Sequence, residues 1–253
     1  MFLHGLDSAD IQRGDTLADP KFLNPDGSLK TFDICVANPP YSISEWEYEI
    51  FKSDKYGRVA GYEMPPTKKA DYAFVLHMIK SMNENGRAGI VLPHGVLFRG
   101  GAEGRIRENL IKNDLIEAII ALPVKLFYGT GIPAAIVIFN KNKPENHKNK
   151  ILIIDAEQDF EEGKNQNRLR KKDIEKIVLA FEGYRDIEKY ARVVDLKELE
   201  ENEFNLNVRR YVENGEDEMV VDVKTVWAEV KEIEKDREAI GKRVEGYLKE
   251  LKY

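Results

Sequence analysis

The sequence predicts an α/β protein with a mostly parallel sheet, one antiparallel hairpin and a long helical tail. Three observations support this fold class. Apolar runs of strand length alternate with segments of helical spacing, the order expected of α/β sheets. Two runs, residues 115–122 and 134–139, are joined by a connection too short for a helical crossover, so this pair should be antiparallel. Residues 213–253 repeat apolar side chains at spacings of three and four, which is typical of a coiled-coil helix.

Each element follows from its local pattern. Apolar runs bounded by turn residues predict six strands, at residues 11–17, 32–37, 88–93, 115–122, 134–139 and 151–155. Helical spacing predicts a helix over residues 71–79 that ends in a glycine cap at Gly86, and another over residues 106–112. The aromatic and charged residues 42–69 are predicted to form a long excursion above the sheet edge, and residues 173–211 short helices and loops.

Composition limits the possible classes of protein. The chain has 253 residues, 42% of them hydrophobic and 33% charged, which is enough for a sizeable core. Cys35 is the only cysteine, so no disulfide can form within the chain, and a reducing cytoplasm is expected. No apolar run approaches the length of a membrane span. With a net charge of −6, the chain lacks the basic surface of a protein that grips DNA alone, so another molecule should supply much of that grip.

Residues 38–41, Asn-Pro-Pro-Tyr, directly follow the strand at residues 32–37. A residue before proline is pushed towards extended geometry, and Pro39 and Pro40 fix their own φ angles and donate no backbone hydrogen bond. The chain must therefore leave the sheet as a stiff loop that presents the Asn38 amide, a free carbonyl and the Tyr41 ring. Open α/β sheets bind their ligands at this carboxyl edge.

Such a platform suits methyl transfer to a planar amino nitrogen, whose lone pair is delocalised. The Asn38 side-chain oxygen and the Pro39 carbonyl can accept from its two N–H groups and return electron density to nitrogen, which is catalysis by positioning and oriented dipoles. Tyr41 can stack on a base that has left the duplex. The alternative is a Pro-Pro loop with an incidental aromatic residue.

Two further positions have a functional and a structural interpretation. Phe127 and Tyr128 lie on a glycine-flanked tip and either form the second face of a stacking pocket opposite Tyr41 or are packing aromatics. Asp15 either accepts from the amino group of a nucleotide-like cofactor or belongs to a plain turn.

The chain divides into three predicted regions. Residues 1–155 hold the catalytic sheet, residues 156–212 peripheral helices and loops, and residues 213–253 a long C-terminal helix. The heptad positions of that helix are Val223, Val226, Val230, Ile233, Arg237, Ile240, Val244, Tyr247 and Leu251. A helix of this length needs a partner helix to cover its apolar stripe, unless it lies on its own domain.

Several motifs together resemble the modification (methyltransferase) subunit of type I restriction-modification systems. They are Arg-Gly-Asp-Thr-Leu at 13–17, Ala-Asn-Pro-Pro-Tyr at 37–41, Ala-Asp-Tyr-Ala-Phe at 70–74, Gly-Val-Leu-Phe-Arg-Gly-Gly at 95–101, Leu-Pro at 122–123, Leu-Phe-Tyr-Gly-Thr-Gly-Ile-Pro at 126–133 and Asn-Leu-Asn-Val-Arg-Arg-Tyr at 205–211. The Asn-Pro-Pro-Tyr motif is shared by many amino-group methyltransferases, and the run of later motifs is much more specific.

The resemblance implies an adenine-N6 DNA methyltransferase that uses S-adenosylmethionine on a partial Rossmann-like sheet. It implies that the catalytic residues are Asn38, Pro39, Pro40 and Tyr41, which hold the flipped adenine. Phe127 is then a second substrate-stacking partner.

The resemblance also implies cofactor and protein contacts. Asp15 contacts the adenine of the cofactor. The residues themselves, with four histidines and no metal-ligand spacing, predict no metal site. The heptad tail docks on the specificity subunit, which reads the DNA sequence, and a restriction subunit, a second copy or an N-terminal methyltransferase piece are further partners.

One departure from the family pattern stands out. Before Asn38 only Gly5, Gly14 and Gly27 occur, none of them in the strand–glycine loop–helix setting that wraps the methionine part of the cofactor in the family. The sequence therefore resembles the carboxyl-terminal part of such a subunit and is expected to be inactive alone. Two alternatives remain: a non-catalytic docking subunit, and a methyltransferase that acts on protein glutamine through the same four-residue platform.

Overall fold

The structure is a computed structural model, and its chain forms two compact units, Met1–Asn214 and Gly215–Tyr253. It describes residues 9–128 and 131–212, and in the second unit Trp227, Val230, Lys231, Ile233, Glu234, Lys235, Arg237, Ile240 and Val244.

The first unit alternates strands and helices. In chain order they are β1 (Phe32–Ala37), α1 (Tyr48–Lys52), α2 (Asp71–Lys80), β2 (Met82–Pro93), α3 (Gly101–Lys112), β3 (Ile116–Ala121), β4 (Ala134–Asn140), β5 (Lys150–Asp155), α4 (Lys171–Gly183), β6 (Ala191–Asp195) and α5 (Leu196–Glu201). Short 3-10 turns lie at His94–Leu97, Glu145–His147 and Val208–Arg210.

The six strands form one sheet in the order β1-β2-β4-β3-β5-β6. β1 pairs with β2, and β3 with β5, in parallel, whereas β4 is antiparallel to β2 and β3, and β6 is antiparallel to β5. Four strands therefore run in one direction, and the predicted mostly parallel sheet with an antiparallel β3–β4 hairpin is confirmed. The carboxyl ends of these four strands share one edge, where the residues after β1, β2, β3 and β5 lie.

The two faces of the sheet are covered unequally. Alternate residues such as Ile90, Ile119 and Ile153 pack with α2 and α3 in the larger core cluster. On the opposite face, Ile120 and Ile154 pack beneath α4 in a smaller cluster. Parallel sheets are normally covered on both faces, and this second face is covered mainly over β3 and β5.

An apolar shelf on this second face remains open to solvent over β1, β2 and β4. It consists of Ile34, Val36, Gly89, Ile136 and Ile138. Ile34 and Val36 are 73% and 79% exposed. A cavity of about 250 Å³ separates the shelf from the Phe181 side chain on α4. Among the described residues, no strand pairs with the outer edge of β1.

Three expectations about secondary structure were wrong. Residues 11–17 form no strand, because the Asp15 carboxylate accepts from the Leu17 and Ala18 N–H groups and folds the chain into a turn. Helix α2 ends at Lys80, and Gly86 lies inside β2, where it lets the chain approach β1 closely. Strand β6 was not predicted.

The predicted C-terminal helix is described only in part. Val230, Ile233, Arg237, Ile240 and Val244 are helical, and the four apolar side chains among them are 38–68% exposed. Val223, Val226, Tyr247 and Leu251 lie outside the described residues. The coiled coil therefore stays a prediction.

Candidate active site

The loop that follows β1 presents two polar groups without partners. Asn38 and Pro40 are exposed, Pro39 is buried and Tyr41 is half-buried. Within the described part of the chain, the Asn38 amide makes no hydrogen bond and no N–H group donates to the Pro39 carbonyl. Both oxygens are therefore available to an external donor.

Ser42 fixes the end of this loop. Its φ of 50° lies in the left-handed region that residues with a side chain seldom adopt. Its N–H donates to Asp71 Oδ1 at 2.7 Å, and its hydroxyl donates to Asp71 Oδ2 at 3.2 Å. The first residue of α2 thus holds the backbone directly behind Tyr41.

Asp71 is itself held by charged neighbours. Its side chain is 1% exposed, and Arg99 Nη2 lies 2.9 Å from Asp71 Oδ2. Arg99 Nε lies 3.0 Å from Glu103 Oε2 on α3, and Arg107 donates to the Arg99 carbonyl at 2.9 Å. A buried carboxylate without such a partner is strongly unfavourable, so this chain of ion pairs stabilises the position of Asp71. Burial raises the pKa of Glu103, an effect that the nearby Arg99 guanidinium opposes.

The Asp71 cluster was not found from the sequence. Its members come from separate elements, and the spacing along the chain gives no sign that they meet. The sequence signals were the position of Asp71 at the start of a predicted helix and the presence of Asp71 and Arg99 in two of the family motifs, neither of which says that the two side chains meet.

Tyr41 and Phe127 lie next to each other. Their ring centroids are 6.4 Å apart and the rings are nearly perpendicular, an edge-to-face contact. The Tyr41 hydroxyl is buried and has no hydrogen-bond partner among the described residues, and burial raises its pKa. Tyr128 is 92% exposed and takes no part in this contact. The two rings form an aromatic wall beside the loop, with no gap between them.

A histidine cluster lies at the same sheet edge and was also missed by the sequence reasoning. His94 directly follows β2, and its backbone N–H donates to the Pro133 carbonyl at 3.0 Å. Its Nδ1 lies 3.6 Å from Glu157 Oε1, and Glu157 Oε2 lies 3.0 Å from Arg209 Nη2. Burial lowers the pKa of His94, an effect that Glu157 opposes. This cluster ties the segment around Arg209 to the end of the loop that carries Phe127.

Asp15 lies in the turn before β1 and is exposed to solvent. It is far from Tyr41 and Phe127 along the chain. One of its carboxylate oxygens accepts both turn N–H groups, at 2.8 and 3.0 Å. A cavity of about 570 Å³ lies between this turn, β1 and α2, and Phe22 and Phe32 form part of its wall. The residues of the Asn-Pro-Pro-Tyr loop do not line that cavity.

The described residues form neither a metal site nor a membrane-spanning helix. No group of three or more His, Cys, Asp or Glu side chains in the described part of the chain is arranged to hold a metal ion. None of the described helices has both the length and the apolar character needed to cross a bilayer.

The chain is an α/β protein with an open, mostly parallel sheet. Its stiff proline loop lies at the carboxyl edge, where open sheets of this class bind their ligands. Comparison with known sequences identifies the family. The sequence profile described as N-6 DNA Methylase matches residues 1–219, and the chain belongs to that family.

Similar proteins confirm the resemblance to type I modification subunits. The chain is 40% identical over 258 aligned positions to the type I restriction enzyme MjaVII methylase subunit of Methanocaldococcus jannaschii, covering 98% of this chain and 44% of that protein. It is 32% identical to the MpnII methylase subunit of Mycoplasma pneumoniae, covering 100% of this chain and 47% of that protein.

A solved structure agrees with the fold. The type I restriction-modification methyltransferase subunit from Streptococcus thermophilus superposes with a TM-score of 0.75 at 37% identity, over 84% of this chain and 44% of that one. The chain thus spans less than half the length of each of these relatives.

Proposed function

We propose that this chain supplies the amine-binding half of an adenine-N6 DNA methyltransferase of the type I restriction-modification class. One observation carries the proposal: two unpaired oxygen acceptors, Asn38 Oδ1 and the Pro39 carbonyl, sit on a stiff loop beside the Tyr41–Phe127 wall. Membership of the N-6 DNA methylase family supports adenine as the acceptor.

The chemistry follows from what the acceptors do to an amino group. An exocyclic amine donates one N–H to the Asn38 amide oxygen and one to the Pro39 carbonyl. These bonds draw its hydrogens out of the ring plane and localise the lone pair on nitrogen, which then points away from the loop. Dipoles fixed before reaction need no reorganisation, and removing one such group typically costs about 100- to 1,000-fold in rate.

The aromatic wall binds the rest of the base. A base outside the duplex loses its stacking partners, and an aromatic side chain replaces them with about 1–3 kcal/mol per base. Tyr41 offers a ring face next to the acceptors, and Phe127 closes one end of that site. In the edge-to-face arrangement the base stacks on one ring, and sandwiching it requires Phe127 to turn.

The proposed methyl donor is S-adenosylmethionine, and the described residues fit only part of it. Asp15 is an exposed acceptor next to a cavity with an aromatic wall from Phe22 and Phe32, which suits the adenosine part. When bound, the cofactor supplies a methyl group on a sulfonium centre, an electrophile for the prepared nitrogen. The described residues offer no comparable site for its methionine part.

We infer that a further polypeptide segment completes the cofactor site at β1. No described strand pairs with the outer edge of β1, and Ile34 and Val36 on the shelf beside it are 73% and 79% exposed. Burying such side chains contributes about 1.5–3 kcal/mol each. A strand on this edge would pair with the β1 backbone, and a helix over the shelf would bury Ile34 and Val36. The relatives are more than twice as long as their matched segments and have residues to supply it.

DNA grip and sequence readout are assigned to partner subunits. The net charge of −6 disfavours DNA binding by this chain alone. In the proposed assembly a specificity subunit binds the C-terminal helix, and a restriction subunit joins the same complex.

The test is methyl transfer by the assembled enzyme, using labelled cofactor and duplex DNA. Asn38→Ala should lower the rate at least 100-fold and leave the melting temperature unchanged, because the Asn38 side chain is exposed and unbonded. Asn165→Ala, also an exposed asparagine, is the matched control and should leave the rate unchanged. A glutamine-containing peptide offered in place of DNA should remain unmethylated.

Two outcomes would contradict the proposal. No transfer to DNA in the presence of the specificity subunit and the proposed completing segment would reject it. Equal rates for wild type and Asn38→Ala would reject the role of the loop.

A docking function without catalysis is the second candidate. Its support is the exposed apolar helix face at Ile233 and Ile240, 68% and 58% exposed. It expects Asn38→Ala to change nothing measurable while charges on that face abolish partner binding.

A further inference from the structure

The loop between β3 and β4 is held by an unusual set of hydrogen bonds. Three successive carbonyls, of Val124, Lys125 and Leu126, each accept from residue 166 or 167. Asn167 donates its backbone N–H to Lys125 at 2.9 Å and its side-chain N–H to Val124 at 2.9 Å, and the Gln166 amide donates to Leu126 at 2.6 Å. Loop carbonyls usually face water, so their capture by two adjacent residues indicates a built contact.

The donors sit on a small hairpin shaped for this contact. Glu161 and Arg168 exchange two backbone hydrogen bonds, of 2.8 and 3.0 Å, that close the hairpin. At Gly163 any side chain would overlap the carbonyl oxygen of Gln166, so the tight turn requires glycine. Asn167 is buried although its neighbours in the hairpin are largely exposed.

The captured loop is under local strain. Lys125 has a φ of 55°, in the left-handed region, and two residues later Phe127 meets Tyr41. A strained residue persists where the surrounding structure holds it, and here the hairpin does so. We therefore expect the position and orientation of the Phe127 ring relative to the Tyr41 ring to depend on the Gln166 and Asn167 side chains.

We propose that Gln166 and Asn167 are positioning residues that set Phe127 against Tyr41, and so fix the wall on which the flipped base stacks. This inference rests on the proposed function for the role of the wall. The clamp itself, defined as the contacts of Gln166 and Asn167 with residues 124–126, stands on geometry alone. The competing view is that the clamp only fastens the hairpin to the sheet.

The sharpest variants keep shape and remove the donor. Asn167→Asp and Gln166→Glu are nearly isosteric, and each turns an N–H donor into an oxygen that faces a carbonyl. Each variant removes one side-chain hydrogen bond. Gln166→Glu places its charge at a half-buried position and Asn167→Asp at a buried one, so Gln166→Glu remains informative where Asn167→Asp disturbs folding. Asn165→Asp is the control, because it adds the same charge at an exposed position of the same hairpin, where Asn165 makes no hydrogen bond with another described residue.

The first measurement uses the whole chain and needs no activity. Nuclear Overhauser effects between the Tyr41 and Phe127 ring protons should be present in the wild type and in Asn165→Asp. They should be lost or at least halved in Asn167→Asp and Gln166→Glu. Unchanged effects in both clamp variants would overturn the proposal.

The second measurement uses the assembled methyltransferase. Each clamp variant should raise KM for duplex DNA about tenfold and change kcat less, since a misplaced wall weakens base binding. Phe127→Ala should do the same, and combining it with Gln166→Glu should add less than twofold. Full additivity would mean that the clamp acts other than through Phe127 and would overturn the assignment. Absence of methyl transfer in the wild type would reject the proposed function. The ring-proton measurement would still decide whether the clamp positions Phe127 against Tyr41.

Discussion

Ser42 shows how one residue sets the geometry behind the acceptor loop. Its φ of 50° places it in a conformation that costs a residue with a side chain about 1–2 kcal/mol, and glycine adopts it freely. The chain tolerates this because Asp71 accepts both the N–H and the hydroxyl of Ser42. Backbone strain beside a ligand-binding loop is a common feature of functional sites.

The strain can be measured by comparing two variants that both lose the hydroxyl. Ser42→Gly should exceed Ser42→Ala in free energy of unfolding by about 1 kcal/mol, since only alanine keeps the strained Cβ. Urea denaturation gives both values. Equal stabilities would show that the backbone at residue 42 is unstrained in solution.

His77 makes stability depend on pH. Burial, together with the Arg58 guanidinium whose Nη1 lies 3.5 Å from His77 Nδ1, lowers the pKa of His77 to about 4, against 6.5 when unperturbed. Between pH 6.5 and 4 the unfolded chain binds a proton that the folded chain does not. Stability should therefore fall as pH falls through this window and level off with respect to His77 below about pH 4.

The expected loss is up to about 3 kcal/mol, from about 1.4 kcal/mol for each pKa unit. His77→Gln has no proton to bind and should reduce this slope, which urea midpoints measured from pH 4 to 7 will report. His94, whose pKa burial also lowers, accounts for part of the slope that remains. Parallel curves for wild type and variant would exclude His77 as the cause. Asp26 and Asp173, whose pKa values are lowered by hydrogen bonds, titrate below this window and serve as an internal reference.

At the scale of elements, the sequence predicted β3, β4 and β5 because their apolar runs are largely buried. The apolar run of β1 also predicted a strand, but that strand is largely exposed. The β3–β4 hairpin followed from the length of its connection. Strand β6 was missed because it has only five residues, of which only Ala191 and Val194 are buried, and it carries Arg192 and Asp195, so no apolar run of strand length exists. The polar start of β2 was assigned to a turn because Asn85-Gly86 is a turn signal, yet parallel pairing with β1 overrides it.

In the candidate site, too, features with a local sequence pattern were predicted, and contacts between distant parts of the chain were not. The Asn-Pro-Pro-Tyr loop follows from local stiffness, and the contact of Phe127 with Tyr41 matches the expectation from its glycine-flanked tip, although their functional roles stay predictions. The Asp71–Arg99 pair and the Gln166–Asn167 clamp link residues 28 to 43 positions apart or bind backbone carbonyls. Neither kind of contact leaves a periodic trace in a single sequence.

The open edge of β1 gives a prediction about that element. Val36→Lys should change the free energy of unfolding of the chain by less than about 0.5 kcal/mol, because Val36 is 79% exposed. It should weaken binding of the completing segment at least tenfold, since a lysine there would be buried without a partner. The binding probe is a polypeptide with the residues of the MjaVII methylase subunit that this chain does not match.

Val178→Lys on α4 is the matched control, with the same change at an exposed valine that does not line the cavity beside the shelf. It should leave binding of the probe unchanged. Equal affinity of wild type and Val36→Lys for the probe would show that the shelf is not where the segment docks.

At the scale of the whole molecule, the catalytic and docking roles are assigned to different units. The first unit ends at Asn214 and contains the sheet and the acceptor loop, whereas the described apolar positions of the second unit are exposed. In the proposed assembly the acidic chain reaches its DNA substrate through the partner that binds the second unit. Separate units imply that the two roles can be removed one at a time.

Truncation after Asn214 should therefore leave the melting temperature of the sheet unit within about 2 °C of the full chain, a shift no larger than that of a change of about 1 kcal/mol in a unit of this size. Binding to the specificity subunit, measured by calorimetry, should be lost in the truncated chain. Ile233→Lys combined with Ile240→Lys should abolish it equally within the full chain, because two charges would be buried at a helix interface. Glu234→Lys also adds positive charge, at an exposed position outside the heptad stripe, and should bind normally. A truncated chain that melts several degrees lower, or a doubly substituted chain that still binds, would instead mean that the helix lies on its own sheet unit and that another surface recruits the partner.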